Sequence, residues 1–366
     1  MSPSQPMPAS SALDLADGHL PSTPETVLWG EIPCAADDAV ITVDPGARLV
    51  IDTVSHEGIL EDQGRDPLDF FTSRGIEPAH VLHDAIAVAA DVDHDPSRHG
   101  PHVVTGPIHV RGVRPGDIVS ITVEQLDLRA DYGIVSNRHG RGALPDEFPA
   151  TGDTGPVSLL ARVDEAGRGT LPAAPRSERM VRFPLRPFLG TMGVAVGGEV
   201  RAHSVPPGPH GGNLDVSLLG PGSTLHLPAQ VDGALAYVGD PHYAQGDGEV
   251  ALTAFEAPLR ATLRFDVIPR EKLVAPRRLW AENSEFIIPV GLHTDLAEAM
   301  RECVRQAVEL LVNAGMHPAY AYAYLSAAGD FAVSQVVDIV TGVHGKIRKA
   351  DLIEILNANL PGALSA

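Results

Sequence analysis

The sequence predicts an α+β fold dominated by β-structure: an antiparallel β-sandwich or barrel core with a helical hairpin towards the C-terminus. Two observations carry that expectation. β-Branched runs bounded by Gly, Pro and Asp turns recur from Val40 to Val337, as in strands joined by tight connections. The clearest helical periodicity is confined to residues beyond Thr294. A chain of 366 residues, 44% hydrophobic, is globular and large enough for one big domain or two. Aromatic residues make up only 5%, so Val, Leu, Ile and Ala must do most of the packing. The expected organisation is a disordered tail over 1–25, a β-rich core carrying the chemistry over 26–270, and a C-terminal α/β part over 271–366 that packs on it.

Charge and composition exclude several classes of function. The 47 acidic against 27 basic residues give a net charge of −20 and no basic tract, which argues against nucleic acid or an anionic membrane as partner. Met1 to Leu20 has neither a basic start nor an apolar segment, so it does not read as a signal peptide. No window approaches the ~18 consecutive apolar residues of a membrane helix. Cys34 and Cys303 are too few for a disulfide framework or a cysteine zinc site, which fits a reducing cytoplasm.

Taken in order, Val40–Val43 and Arg48–Val54 are strands separated by the turn Asp44-Pro45-Gly46. The second ends in Ser55-His56-Glu57-Gly58, a His–Glu pair where a strand enters a glycine loop, which suits a ligand or a proton carrier. Residues 66–74 and 78–90 each have a helical pattern. The loop Asp91 to His102 is rich in His and Asp, and His102 is the best held because it directly precedes the strand Val103-Val104. Thr105–Val110 and the stretch from Arg114 to Val123 read as strands, the latter started by a Pro-Gly-Asp turn. The loop Ser136 to Gly142, with Arg138 and His139, concentrates positive charge and suits a carboxylate or a polarised carbonyl. Residues 150–177 read as a linker. In 183–195 the prolines forbid a central strand, leaving a fixed, extended piece of wall. In Gly211-Gly212-Asn213-Leu214-Asp215 the glycines let backbone approach a ligand, and Asn213 and Asp215 supply polar groups.

The chain then reaches the stretch on which the rest converges, Gly239-Asp240-Pro241-His242-Tyr243-Ala244-Gln245-Gly246-Asp247-Gly248-Glu249. Asp240 and His242 are two apart, as are Asp247 and Glu249, so on extended chain each pair points to one side. Gly246 and Gly248 permit a tight turn between the pairs. Beyond it, Asp295 caps a helix that runs to Gly315, with Glu298 placed for the reciprocal bond. Pro318 starts a second helix, which ends at Gly329. A strand over 331–337 and a last helix over 349–360 complete the chain. Tyr320, Tyr322 and Tyr324 on the second helix read as packing or subunit-contact residues.

Four segments in this order resemble the acetamidase/formamidase family: Thr105-Gly106-Pro107-Ile108, Arg186 to Gly193, Gly211 to Asp215, and Gly239 to Glu249. The last departs from the family's common His-Ala-Ala-Gln-Gly-Asp-Gly-Glu, with Tyr243 in place of the first alanine and Pro241 before the histidine. Leu214 stands where the family commonly has Met. The resemblance implies hydrolysis of a short carboxylic amide to ammonia and an acid, on a β-rich fold, with a divalent metal in some relatives and a homo-oligomeric assembly.

An amide is a poor electrophile with a poor leaving group, and its hydrolysis needs an activated water, oxyanion stabilisation and a proton for the amine. No Gly-x-Ser-x-Gly elbow or Cys-His-Asp set is visible, so metal-assisted attack by water comes first. We expect a divalent ion, zinc first and calcium second, held by His56, His102 and Asp215. Glu249, as general base, acts with His242 and Asp240, while Asn213, His139 and Arg138 meet the substrate. A dimer or higher homo-oligomer is expected. The competing readings are a lyase or oxygenase on a β-sandwich, and a binding module for small polar ligands.

Overall fold

The computed structural model describes residues 16–150, 156–272 and 278–355. Two large sheets dominate it. The first has the strand order Gly18–Leu20, Arg48–Asp52, Leu259–Ile268, Ile118–Leu128, Thr224–Pro228, Trp280–Glu282, Phe286–His293, Thr341–Arg348 and Asp330–Gln335. All neighbours are antiparallel except the first pair. The second runs from Met180–Pro184 through Arg168–Pro172, Val157–Val163, Tyr132–Asn137, Phe255–Glu256, Ala236–Ala244 and Phe188–Gly193 to Gly211–Asn213. Strand Val103–Val110 also pairs with Ala236–Ala244 and carries Val27–Trp29 and Ile41–Val43.

Alternation joins the sheets. Val119, Ile121 and Val123 turn inward from the strand Ile118–Leu128, while Ser120 and Thr122 face away. They share one apolar cluster with Leu225, Leu263 and Phe265 of the same sheet and with Ile108, Leu189 and Val238 of the other. Each such fully buried side chain contributes about 1.5–3 kcal/mol.

The C-terminal helices are Leu296–Asn313 and Pro318–Ala328. Asp295 caps the first by accepting from Glu298 N at 3.0 Å, while the Glu298 carboxylate accepts from Arg301 and makes no reciprocal cap. Leu310, Leu311, Ala321 and Leu325 pack with Trp280, Ile287 and Ile347 of the first sheet. Tyr320 and Tyr322 are exposed, and Tyr324 donates to Asp351 at 3.0 Å. Among the described residues, no helix is long and apolar enough to cross a membrane.

Five expectations are corrected. Strand Gly18–Leu20 pairs with Arg48–Asp52, so order begins inside the expected tail, whose residues 1–15 lie outside the described ones. Strands Val157–Val163 and Arg168–Pro172 occupy the expected linker, which Gly, Pro and Thr made look irregular. Phe188–Gly193 is a fully buried central strand, because Pro184 and Pro187 fall just before it. The first sheet runs without a break across the expected boundary at 270, from Leu259–Ile268 to Trp280–Glu282 and beyond. The expected last helix starts as a short turn at Lys349–Leu352, and residues 356–360 lie outside the described ones.

Candidate active site

The site forms on the strand Ala236–Ala244, where Asp240 and His242 share one side, His242 Nε2 standing 3.2 Å from Asp240 Oδ2. Gly190 on the neighbouring strand makes room for them. A Cβ there would stand 2.5 Å from Asp215 Oδ1 and 2.6 Å from Asp240 Oδ2. Asp215, Asp240 and Glu249 all adopt left-handed backbone, with φ of 50°, 51° and 47°. Such conformations cost a non-glycine residue about 1–3 kcal/mol each and cluster at functional sites. Glu249 owes its position to the turn at Gly248, whose N–H donates to Ser334 O at 2.9 Å and ties the turn to the strand Asp330–Gln335. Gln335 Oε1 in turn accepts from Val337 N and Asp338 N, holding the loop that presents Asp338.

Three histidines face Asp240. His56 Nδ1 is 3.3 Å from Oδ1, and His102 Nε2 is 4.0 Å from Oδ2, joining His242. In each ring the other nitrogen is held: His56 Nε2 by Glu57 at 3.7 Å, His102 Nδ1 by Ser204 Oγ at 3.1 Å, His242 Nδ1 by Gln245 Oε1 at 3.0 Å. Glu57 is itself fixed by Ser136 Oγ at 2.7 Å and Arg138 at 2.9 Å. Gln245 donates to Asp215 O and Ser334 O. One nitrogen anchored and one aimed inward is the arrangement of metal-ligating histidine.

The donor set fits a divalent cation. His56 Nδ1, His242 Nε2, Asp240 Oδ1 and both Asp215 carboxylate oxygens are buried without a hydrogen-bond partner among the described residues, and an orphaned buried group costs about 1–3 kcal/mol. Ligand atoms within 4.8 Å of one another form three groups: His56–His102–Asp240, Asp215–His242–Glu249 and Asp240–His242–Glu256. Oxygen and nitrogen ligands about 2.0–2.2 Å from a tetrahedral ion stand roughly 3.3–3.6 Å apart, close to the 3.1–3.3 Å contacts among His56, Asp240, His242 and Glu256.

The electrostatics divide the acids. Burial pushes Asp240 up, but His242 and His102, and then the close approach of His56, outweigh it and hold the carboxyl well below its usual range. Burial lowers His242, while Glu256 and Asp240 lift it well above the ordinary imidazole range. His102 is held down to about 4, chiefly by burial. Asp215 and Glu249 are pushed well up by burial first and then by neighbouring acids. Burial pushes Asp338 up to about 7, with the adjacent Asp215 pulling the other way. One carboxyl, Asp240, is thus held low while the neighbouring Asp215, Glu249, Glu256 and Asp338 are pushed up.

The six residues His56, His102, Asp215, Asp240, His242 and Glu249 come together, but not in the expected grouping. Asp240, expected to carry protons, stands with His56 and His102, whereas Asp215 stands with His242 and Glu249. Asp247 does not share a side with Glu249: the chain turns at Gly248, and Asp247 is exposed and bonded to Ser217. Asn213 lines the cavity with its side-chain oxygen bonded by Thr191 Oγ at 2.9 Å. Arg138 also lines it but is committed to Glu57 and Asp62. His139 is exposed and is not among the lining residues, although Arg141 two positions on is. Sequence reasoning missed Glu256 and Asp338. Each is a lone acid inside an apolar run, Ala254-Phe255-Glu256-Ala257 and Val337-Asp338-Ile339-Val340, and that isolation was the available signal.

Fold and geometry thus define a β-sheet protein with a buried histidine–carboxylate centre suited to a divalent cation. The Acetamidase/Formamidase family model matches residues 198–347, and the chain is similar to that family there. Similar proteins include an acetamidase of Mycolicibacterium smegmatis, 26% identical over 297 residues covering 61% of this chain and 72% of that one. A formamidase of Methylophilus methylotrophus is 25% identical over 300 residues, covering 65% and 74%. The crystal structure of an acetamidase from Yersinia enterocolitica superposes with a TM-score of 0.70 at 26% identity, covering 92% of this chain and 93% of that one.

Proposed function

We propose that the chain is an amidohydrolase that cleaves the C–N bond of small linear carboxylic amides and releases ammonia. The observation that supports this best is the convergence of three anchored histidines on Asp240, beside acids raised by burial. His56, His102 and Asp240 would hold a divalent ion, zinc before calcium, with His242 and Asp215 completing the set. When bound, such an ion acidifies water and polarises a carbonyl.

The remaining work falls to the chain. Glu249, raised by burial and by Asp338, takes a proton from the attacking water and returns it to the departing nitrogen. Thr191 fixes the Asn213 side-chain oxygen, so the amide NH2 of Asn213 is free to donate to the substrate carbonyl as it becomes an oxyanion. Arg138 acts through Glu57 and His56, as a positioning residue. We read the two sheets as a sandwich flanked by the helical hairpin, the assembly as a homodimer or higher oligomer, and the location as cytoplasmic.

Ammonia release from formamide, acetamide and larger amides, measured for wild type and Glu249→Gln, tests the reading. Turnover is expected in the first and loss in the second. A metal-loaded protein that releases no ammonia from any amide would instead support the lyase, oxygenase or binding readings.

A further inference from the structure

The cavity above the histidine–carboxylate floor encloses about 530 Å³. That lies within the roughly 300–1,000 Å³ typical of sites for sizeable ligands, and formamide or acetamide would leave most of it to water. Its walls change character from floor to mouth. The floor is the acid and histidine centre. Above it stand the apolar side chains of Leu60, Pro101, Val205, Leu252 and Ile339.

At the mouth the acids are already engaged: Glu61 with Arg65 and His94, Asp62 with Arg138. Arg98 and Arg141 also line the mouth, are exposed, and form no ion pair among the described residues. Asp95, next to Arg98, is occupied by Ser97. In a chain of net charge −20, two uncommitted guanidinium groups at a cavity entrance are a local reversal of the surrounding field.

Both arginines sit on held backbone. Arg98 N donates to Asp95 O, and the loop closes through Gly100 N to Gly30 O at 2.9 Å and Gly30 N to His102 O at 2.8 Å. A Cβ at Gly100 would stand 2.2 Å from Ser204 Oγ, so this loop, which also carries His102, is locked against residues 203–205. Arg141 N donates to Arg138 O, and Ala143 N to Val250 O at 2.9 Å. Guanidinium groups carried on held backbone are suited to recognise carboxylates.

We propose that the site takes linear amides with an aliphatic spacer and a terminal carboxylate, the amide on the histidine–carboxylate floor and the carboxylate on Arg98 and Arg141. The inference rests on the amidohydrolase reading. Water adds to the carbonyl carbon, the C–N bond breaks, and the nitrogen leaves with a proton as ammonia. The product is a dicarboxylate.

The test compares the metal-replete protein on glutaramate and on 5-methylhexanamide, whose terminal isopropyl group copies the carboxylate's shape without its charge, with acetamide as reference. The kcat/KM for glutaramate should exceed that for 5-methylhexanamide by roughly tenfold, the scale of charge-assisted contacts at a partly exposed site, mostly through KM. In the double variant Arg98→Ala/Arg141→Ala the ratio should fall to about one or below, and Arg98→Lys/Arg141→Lys should restore part of it. A wild-type ratio of one or less with acetamide turned over, or an unchanged ratio in the double alanine variant, overturns this inference alone. If none of the amides releases ammonia, the amidohydrolase reading fails and this inference falls with it.

Discussion

Two buried clusters of histidine and acid stand on the two sheets, and they differ in what they leave open. On the first sheet His226 bonds Ser120 Oγ through Nδ1 at 2.8 Å and Glu282 through Nε2 at 3.1 Å, stacks on Trp280 at 4.0 Å, and leaves Lys349 Nζ 2.7 Å from Glu282. Both ring nitrogens are engaged, and the group reads as a structural peg. At the other cluster, His56 Nδ1, on the loop after Arg48–Asp52, and His242 Nε2, on the second sheet, approach carboxylate oxygens at 3.1–3.3 Å without forming a hydrogen bond, and Asp240 Oδ1 likewise forms none. Residue types alone do not separate the two clusters. Unsatisfied donors around a cavity do, because burial without a partner is costly unless something occupies the gap.

The largest expected effect sharpens this contrast directly. Glu249→Gln keeps size and reach but cannot accept a proton, so kcat should fall about 100- to 10,000-fold, with bound metal unchanged by elemental analysis. Loss of metal together with activity would make Glu249 a ligand instead. Next comes the support of the rings: Ser204→Ala or Gln245→Leu should weaken metal affinity about 10- to 100-fold, read by competition with a chelator. Unchanged affinity would mean that the anchoring nitrogens do not orient the ligands.

At the closed cluster the effects should be on stability, without loss of bound metal. Lys349→Met should cost about 1.5–3 kcal/mol at pH 7, the worth of a charged hydrogen bond, by denaturant unfolding. Burial raises Glu282, but the bonds from His226 and Lys349 prevail and hold it below its usual range. A depressed folded pKa means that the stabilisation is present above the unfolded value, near 4.5, and is lost as pH falls through the folded one. The gap between variant and wild type should therefore narrow below about pH 4.5. A gap independent of pH would remove Glu282 from the account.

Legibility in the sequence followed local pattern. The strands around Arg48, Ile118 and Ala236 show alternation or β-branched runs that reach the surface of the sequence. Helix Leu296–Asn313 announced itself by its cap and spacing. Val157–Val163 and Arg168–Pro172 did not, because they are partly exposed strands near one end of the sheet and the Gly, Pro and Thr around them read as a linker. At the site, the i, i+2 spacing of Asp240 and His242 was readable because both lie on one strand. Asp247 was not, since the outcome depends on φ at Gly248 and Glu249. Asp338 reaches the centre only through the pairing of Gly248 with Gln335, a contact across 87 residues that no local signal encodes.

The most direct measurement is ammonia release from acetamide plotted against bound divalent metal per chain, as the purified protein is stripped by a chelator and then reconstituted. The account predicts activity that falls in proportion to metal removed and returns with zinc, while the fold persists by circular dichroism. Full activity in rigorously metal-free protein would contradict it, and would require the orphaned nitrogens around Asp240 to serve another purpose.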